Sequence, residues 1–325
     1  MQETTLTGDT AEKRQQITAV LIANPTAGSL FFHSHHLESV VQFLRAQGWQ
    51  VDLHWTTLAG EARRLAAEAV TRGIHVVIAG GGDGTINEVI QELAGTETAL
   101  GVLPLGTVNI WAREVGIPLD IAGAQRVLVE GQIRHVDLGK LDDRYFLLMA
   151  GIGMDGEITH AVERKPAKRL GVLGYLLVGT WLGLGYPAYR AAIEVDGLLF
   201  KTNALQIVIG NTQLYAGAIK YTWQARCNDG LLDLCIVRKQ GMFGRILVAL
   251  DFLLGREQRR QWVRYETSKA IKIFTRKPVA IQIDGEPMGY TPGTAAPTTV
   301  TIAPRVLKAI VPRHTSEDLF TSEKV

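Results

Sequence analysis

The spacing of apolar residues changes character once along this chain. From Ile17, short β-branched apolar runs alternate with stretches whose apolar positions recur every three to four residues, the pattern of a parallel sheet covered by helices. ITAVLIA (17–23) predicts a strand, HLESVVQFLRAQG a helix, WQVDLHWT a strand and EARRLAAEAVTRG a helix. IHVVIAG (74–80) then predicts a buried strand, TINEVIQELAG a helix, ALGVLP a strand and VNIWAREVG a short helix. After Asp137 helical stretches become sparse, and YRAAIEVDGLLF, NALQIVIGN, GLLDLCIVRK, KAIKIFTRK and VAIQIDGE follow one another through turn residues. That texture predicts an antiparallel sheet or sandwich of its own. The fold expected is an α/β domain with an open parallel sheet over 17–138 and a β-rich antiparallel domain over 139–312, with VLKAIVP (near 305–312) able to return to the first domain. The polar ends, 1–16 and 313–325, are expected to be flexible tails.

Composition adds bounds to this picture. A length of 325 residues suits two domains, each large enough to bury a core without staples. A formal net charge of +2 gives no global reason to expect a nucleic-acid partner. Cys227 and Cys235 lack metal-type spacing and read as reduced core thiols. The N-terminus, MQETTLTGDTAEKRQQ, has no apolar core or cleavage pattern, so a cytoplasmic protein is expected.

The strongest chemical signal is IAGGGDGTINEV, where a buried strand runs into residues without bulky side chains and then into a helix. Glycines there let a backbone approach a ligand, while exposed amides and the helix dipole favour an anion, phosphate above all. Thr85 and Glu88 have capping-box spacing, which predicts that they fix the start of that helix. No G-K-[ST] follows, so this is not a Walker A loop, and G-x-G-x-x-G spacing is absent too. Two further segments fall at the carboxyl ends of predicted strands, where open α/β sheets hold ligands: NPTAG (24–28) and LPLGTVNIWAR (103–113). Asp83 puts a carboxylate inside the glycine-rich loop, where it would repel phosphates unless metal or protonation intervened. In IQIDGEPM an ordinary D-G turn explains Asp284 and Gly285 but does not account for Glu286. His33, His35 and His36 read as a solvated helix start rather than a metal site.

Taken in order, NPTAG, GGGDGTINEV, PLGTVN, HVDLG (135–139), AGIGMDGEI (150–158), NDGLLD (228–233) and DGE (284–286) resemble the diacylglycerol kinase catalytic-domain superfamily, which includes bacterial soluble lipid kinases and sphingosine and ceramide kinases. The resemblance covers nearly the whole chain. It implies an ATP-dependent lipid kinase that phosphorylates the hydroxyl of diacylglycerol or a related lipid. By that resemblance Gly81, Gly82, Asp83, Gly84, Thr85, Ile86 and Asn87 wrap the ATP phosphates, and Thr107, Thr56 and Asn24 contact the nucleotide. Thr57 competes with Thr56 for its place, and Asn24 could equally stiffen its loop. Glu286 matches the family's proton acceptor, Asp83 handles metal, and Asp137 resembles an acid of a metal and water network, although a strand end would also explain it. NDGLLD resembles a turn holding a structural Mg²⁺ through Asp229 and the carbonyls of Arg226 and Leu231; a plain hairpin turn explains the same residues. One departure stands out: the family commonly has Asp after PxGTxN, and here Ile110 occupies that position.

The segment 170–189 is uncharged over roughly the ~20 residues a membrane helix needs, but five glycines and Pro187 interrupt it, so a transmembrane span is not expected. Arg164, Lys165, Lys168 and Arg169 precede it, and FGRILVALDFLLGREQRRQW again pairs apolar residues with arginines. Both suggest a peripheral enzyme meeting its lipid substrate on an anionic leaflet, with a homodimer among the allowed assemblies. Two other functions fit parts of the pattern. An NAD kinase shares GGDGT, and a non-catalytic lipid- or nucleotide-binding regulator would account for Ile110.

Overall fold

The computed structural model describes residues 16–25, 34–163, 183, 185–215, 219–255 and 261–321. The first half alternates as its periodicity predicts: β1 (Thr18–Ala23), α1 (Ser34–Ala46), β2 (Gln50–Trp55), α2 (Glu61–Thr71), β3 (Val76–Gly81), α3 (Asp83–Leu93), β4 (Ala99–Pro104), α4 (Ile110–Val115) and α5 (Ile121–Glu130). β1 pairs in parallel with β2 and β3, and β3 with β4. Helices cover both faces, which is why every residue of β3 and β4 is buried and why these strands read as unbroken apolar runs. α5 has no counterpart among the expected elements, and its start is capped by Asp120 accepting the Gly123 N–H at 2.7 Å.

The second half contains β5 (Gln132–Leu141), β6 (Arg144–Phe146), β7 (Met149–Gly153), α6 (Met154–Glu163), β8 (Tyr189–Val195), β9 (Leu198–Gly210), β10 (Leu214–Tyr215) and β11 (Ile219–Lys220). It continues with β12 (Leu232–Arg238), α7 (Met242–Leu253), β13 (Val263–Ser268), β14 (Ala270–Thr275), β15 (Ala280–Ile283), β16 (Glu286–Tyr290) and β17 (Thr298–Val311). Pairing among β7, β8, β9, β12, β13, β14 and β15 is antiparallel, as expected of a β-rich second domain. This sheet is not closed off on its own. β17 pairs with β14 at one end and, through Lys308↔Ala99 and Ala309↔Leu100, in parallel with β4 at the other. The returning last strand therefore joins the two halves into one hydrogen-bonded path, β16-β15-β7-β9-β8-β14-β17-β4-β3-β1-β2. Two apolar cores lie along it, one under the parallel strands and one between β7, β9, β12, β14 and β15.

The expectation of a flexible tail after Arg313 is corrected for residues 314–321. Leu319 and Phe320 are buried, Cys227 donates its amide to the Leu319 carbonyl at 3.0 Å, and Arg134 lies over the Phe320 ring. Those two apolar side chains supply the burial that holds a segment otherwise rich in polar residues. The 1–16 tail and the basic run 164–169 lie outside the described residues save for Gln16, as does most of 170–189. Among the described residues no helix is long and apolar enough to cross a membrane.

Candidate active site

Four strand ends converge where the glycine-rich loop begins. Asn24, just past β1, donates its amide to the Gly80 carbonyl at 2.9 Å. Thr56, just past β2, is buried and donates its amide to Ala23 at 2.9 Å, with its hydroxyl 3.4 Å from the same carbonyl. The hydroxyl of its competitor Thr57 is already committed to Glu61 at 2.9 Å. Gly82 precedes α3 in an extended conformation and leads the chain from β3 into the helix. After β4 the chain turns through Gly106 and exposed Thr107 to Asn109, whose φ of 53° lies in the left-handed region. The Asn109 side chain stabilises that turn by accepting the Gly106 N–H at 2.9 Å and donating to the Gly106 carbonyl at 2.8 Å and the Pro104 carbonyl at 3.2 Å.

The two loops touch through glycine alone: a Cβ on Gly106 would stand 2.4 Å from the Gly82 Cα. Asp83 then ties them. Its Oδ2 accepts the Ile110 N–H at 2.9 Å and its Oδ1 the Trp111 N–H at 3.1 Å, so this carboxylate caps the start of α4. Burial pushes the Asp83 carboxyl up from its ordinary range, opposed by these two amides.

The opposite wall comes from the second half of the chain. Asp284 sits at φ 49° in the turn between β15 and β16. It accepts the amides of Leu147, Leu148 and Met149 at 2.9–3.0 Å and the Asn87 Nδ2–H at 2.9 Å. Two residues on, Glu286 faces the glycine-rich loop, and a Cβ on Gly84 would come within 2.7 Å of its Oε1. Arg144 donates to Glu286 Oε2 at 2.9 Å and to Asn87 Oδ1 at 2.8 Å, linking α3 to this turn. Desolvation pushes the Glu286 carboxyl up, and the Arg144 guanidinium pulls it back down. The net shift is upward, the direction that suits a proton acceptor.

Behind Glu286 lies a second polar cluster. Gly285 donates to Gln282 Oε1 at 2.8 Å, Gln282 donates to Asp155 Oδ2 at 2.5 Å, and Tyr215 donates its hydroxyl to Asp155 Oδ1. Sequence reasoning missed Arg144 and Asp284 as partners of the site. Arg144 carries no local signal. The D-G turn did mark Asp284, but its left-handed backbone and three-amide nest depend on a segment 135–137 residues away.

Several expected residues have other surroundings. Thr85, Ile86 and Asn87 are buried, Asn87 being held by Asp284 and Arg144 as described, so of the 81–87 run only 82–84 borders open space. The predicted capping box is corrected: α3 starts at Asp83, and Glu88 instead accepts the amides of Gly60 at 2.9 Å and Ala62 at 3.1 Å, capping the neighbouring α2. Asp137 is fully buried rather than at a solvated strand end. It accepts Gly230 N–H and Arg305 N–H, both at 2.6 Å, and so pins the NDG turn to the β17 bulge where Arg305 has φ 53°. Asp229 Oδ1 accepts the Leu231 amide at 3.0 Å. Among the described residues no three His, Cys, Asp or Glu side chains form a metal-holding group. Asp83, Glu88 and Asp284 accept N–H donors, Glu286 Oε2 is paired with Arg144, and Ile110 offers no carboxylate. Cys227 and Cys235 are buried and unpaired with each other, as expected of core thiols. His36 is exposed on α1, while the side chains of His33 and His35 lie outside the described residues.

Comparison with known proteins gives the same two-part division. Residues 18–141 match the diacylglycerol kinase catalytic domain, and residues 149–311 match the YegS C-terminal NAD kinase beta sandwich-like domain. A protein named diacylglycerol kinase from Bacillus subtilis (strain 168) is 36% identical over 278 residues, covering 85% of this chain and 91% of that protein. A namesake from Staphylococcus aureus (strain JH9) is 33% identical over 278 residues, covering 84% and 87%. A diacylglycerol kinase crystal structure from Bacillus anthracis str. Sterne shares the fold, with a TM-score of 0.72 at 23% identity over 92% of this chain and 98% of that one.

Proposed function

This chain belongs to the diacylglycerol kinase family and phosphorylates a lipid alcohol; from that premise we propose that it moves the γ-phosphate of ATP to diacylglycerol or a related long-chain lipid, with Glu286 as the base. The observation that carries the reading is the position of the Glu286 carboxylate directly against Gly84, on the phosphate side of the loop. The first-turn amides of α3 lack intrahelical partners and face the anion, while Asn24, Thr56 and Thr107 ring the nucleotide from the other strand ends. Glu286 takes the proton of the lipid hydroxyl as its oxygen bonds to the γ-phosphorus, and the bond from that phosphorus to the β-bridging oxygen breaks, releasing ADP. Asp83 acts by holding the two loops together. Mg²⁺, when bound, would supply charge neutralisation at the phosphates; Asp83 and Asp137, the acids the resemblance assigns to metal, accept main-chain amides in this structure.

A membrane-embedded acceptor makes this a peripheral enzyme of the cytoplasmic leaflet, where ATP is available. The test is incubation of purified protein with γ-labelled ATP, Mg²⁺ and mixed micelles containing diacylglycerol, other long-chain lipid alcohols or, as control, NAD. Labelled phosphatidic acid is the expected product. Label appearing only in NADP would replace the reading with an NAD kinase, and label in no acceptor would replace it with a binding protein.

A further inference from the structure

Helix α7 presents an apolar face that the protein itself leaves uncovered. Gly244, Val248 and Phe252 are buried, and Phe252 packs on Tyr221 with ring centroids 4.5 Å apart. The other face carries Met242, Phe243, Ile246, Leu250, Leu253 and Leu254, which are 64%, 74%, 44%, 45%, 60% and 60% exposed. At helical spacing these six side chains fall within an arc of about 120°. They form one patch on the order of 600 Å², at the upper end for a monomer surface and below the roughly 800 Å² per partner of a stable protein interface.

The charge next to this helix in the sequence is mostly positive. From 239 to 260 the sequence holds Lys239, Arg245, Arg256, Arg259 and Arg260 against two acids, Asp251 and Glu257. Asp251 is buried on the inner side of α7. Arg256, Arg259 and Arg260 follow the helix directly in the sequence, outside the described residues. A row of exposed apolar side chains on a helix flanked in sequence by cations is what an anionic phospholipid surface accepts.

The inner side of α7 also leads to the acceptor end of the site. Phe252 touches Tyr221, whose ring lies 5.1 Å from that of Tyr215, and Tyr215 bonds Asp155. Asp155 is bonded to Gln282, which accepts the Gly285 amide beside Glu286. A surface seated on α7 is thus joined by direct contacts to the turn that bears the base.

We propose that α7 is the interfacial helix of this enzyme, inserting Met242, Phe243, Ile246, Leu250, Leu253 and Leu254 into the headgroup region of an anionic leaflet. The proposal rests on the lipid-kinase reading for its choice of occupant. Its test uses the full chain and the triple variant Phe243→Ser, Leu250→Ser, Leu253→Ser, all surface positions. Co-sedimentation is measured with vesicles of phosphatidylcholine alone or mixed with phosphatidylglycerol. The parent should bind the mixed vesicles preferentially, and the variant at least roughly tenfold more weakly, because three apolar anchors are lost. Phosphorylation of a short-chain diacylglycerol in detergent micelles should be equal in the two proteins, which also verifies that the variant folds. As an independent arm, Phe243→Cys labelled with a polarity-sensitive dye should shift to the blue on mixed vesicles; the native thiols are buried and stay unlabelled. Equal vesicle binding by parent and variant, or no dye shift, overturns the proposal. So does a parent dimer that becomes monomeric in the variant while vesicle binding is unchanged, since a second copy would then be the occupant. A parent that phosphorylates no lipid at all would sink the kinase reading, whereas vesicle binding would still judge the helix.

Discussion

Ile110 donates its main-chain amide to Asp83 Oδ2 at 2.9 Å, so the position where the family commonly carries an acid serves the glycine-rich loop through its backbone. Any residue but proline at 110 keeps that bond, whereas the carboxylate at 83 gives each of the two amides its own acceptor oxygen. Asp83→Asn would turn an N–H₂ toward the Ile110 or Trp111 amide, leaving a buried donor unmet at roughly 1–3 kcal/mol. The expected result is a lower melting temperature together with a loss of ATP affinity, read by calorimetry. Ile110→Ala should leave ATP affinity close to the parent, since the amide that Asp83 accepts is unchanged. If Asp83→Asn lowered turnover alone, with stability and ATP binding intact, Asp83 would be acting on a metal rather than on the loops.

The pairing of Glu286 with Arg144 sets a pH dependence whose sign follows directly. Glu286 must be deprotonated to accept a proton, and burial raises its carboxyl, so activity should fall on the acid side at a pH above that of an ordinary glutamate. Arg144 opposes the rise, so in Arg144→Gln the acid limb should move to still higher pH. Glu286→Gln should retain ATP binding while transfer to lipid drops by about 10²–10⁴-fold. Rate profiles over pH with both variants check the pair. An acid limb unmoved by Arg144→Gln would mean that another group titrates.

A third prediction concerns Glu88, which caps α2 from α3. Glu88→Ala should cost roughly 1–2 kcal/mol in urea unfolding by stranding the amides of Gly60 and Ala62. Thr85→Ala should not do the same, because Thr85 does not cap the helix.

The order of β1 to β4, the β-rich second half and the strand-turn-helix junction at the glycine loop were legible because each rests on local pattern: unbroken apolar runs, 3.6-residue spacing and period-two alternation. What stayed hidden depends on pairs far apart in sequence. Asp284 finds its three amides 135–137 residues away, Arg144 reaches Glu286 across 142 residues, and Asp137 holds Arg305 across 168. Glu88 shows the same limit at short range, since its T-x-x-E spacing fitted a capping box while its partners lay on a neighbouring helix 25–28 residues back. The tail near Leu319 failed for a related reason: two apolar residues in a polar segment give no periodicity, yet they are enough to dock it.

The NDG turn gives the last prediction, since three acids lie near one another there. Asp233, on β12, is buried, and desolvation followed by the charge of Asp229 pushes its carboxyl up to about 7 from an ordinary 3.8. The folded state therefore holds a proton that the unfolded chain releases at lower pH. Its stabilising contribution is complete below the unfolded value and disappears as pH rises through about 7. Asp233→Asn removes that titration, so the variant should gain on the parent from pH 4 to pH 8, by roughly 2 kcal/mol once solvent relaxation is allowed for. Chemical denaturation at several pH values reads the difference. A cation held by Asp229 and the carbonyls of Arg226 and Leu231 would also offset the repulsion, so Mg²⁺ should raise the parent's melting temperature more at pH 8 than at pH 5. Should Mg²⁺ have no effect while Asp233→Asn stabilises as expected, the turn is a structural hairpin whose strain is carried by protonation of Asp233, and no metal belongs there.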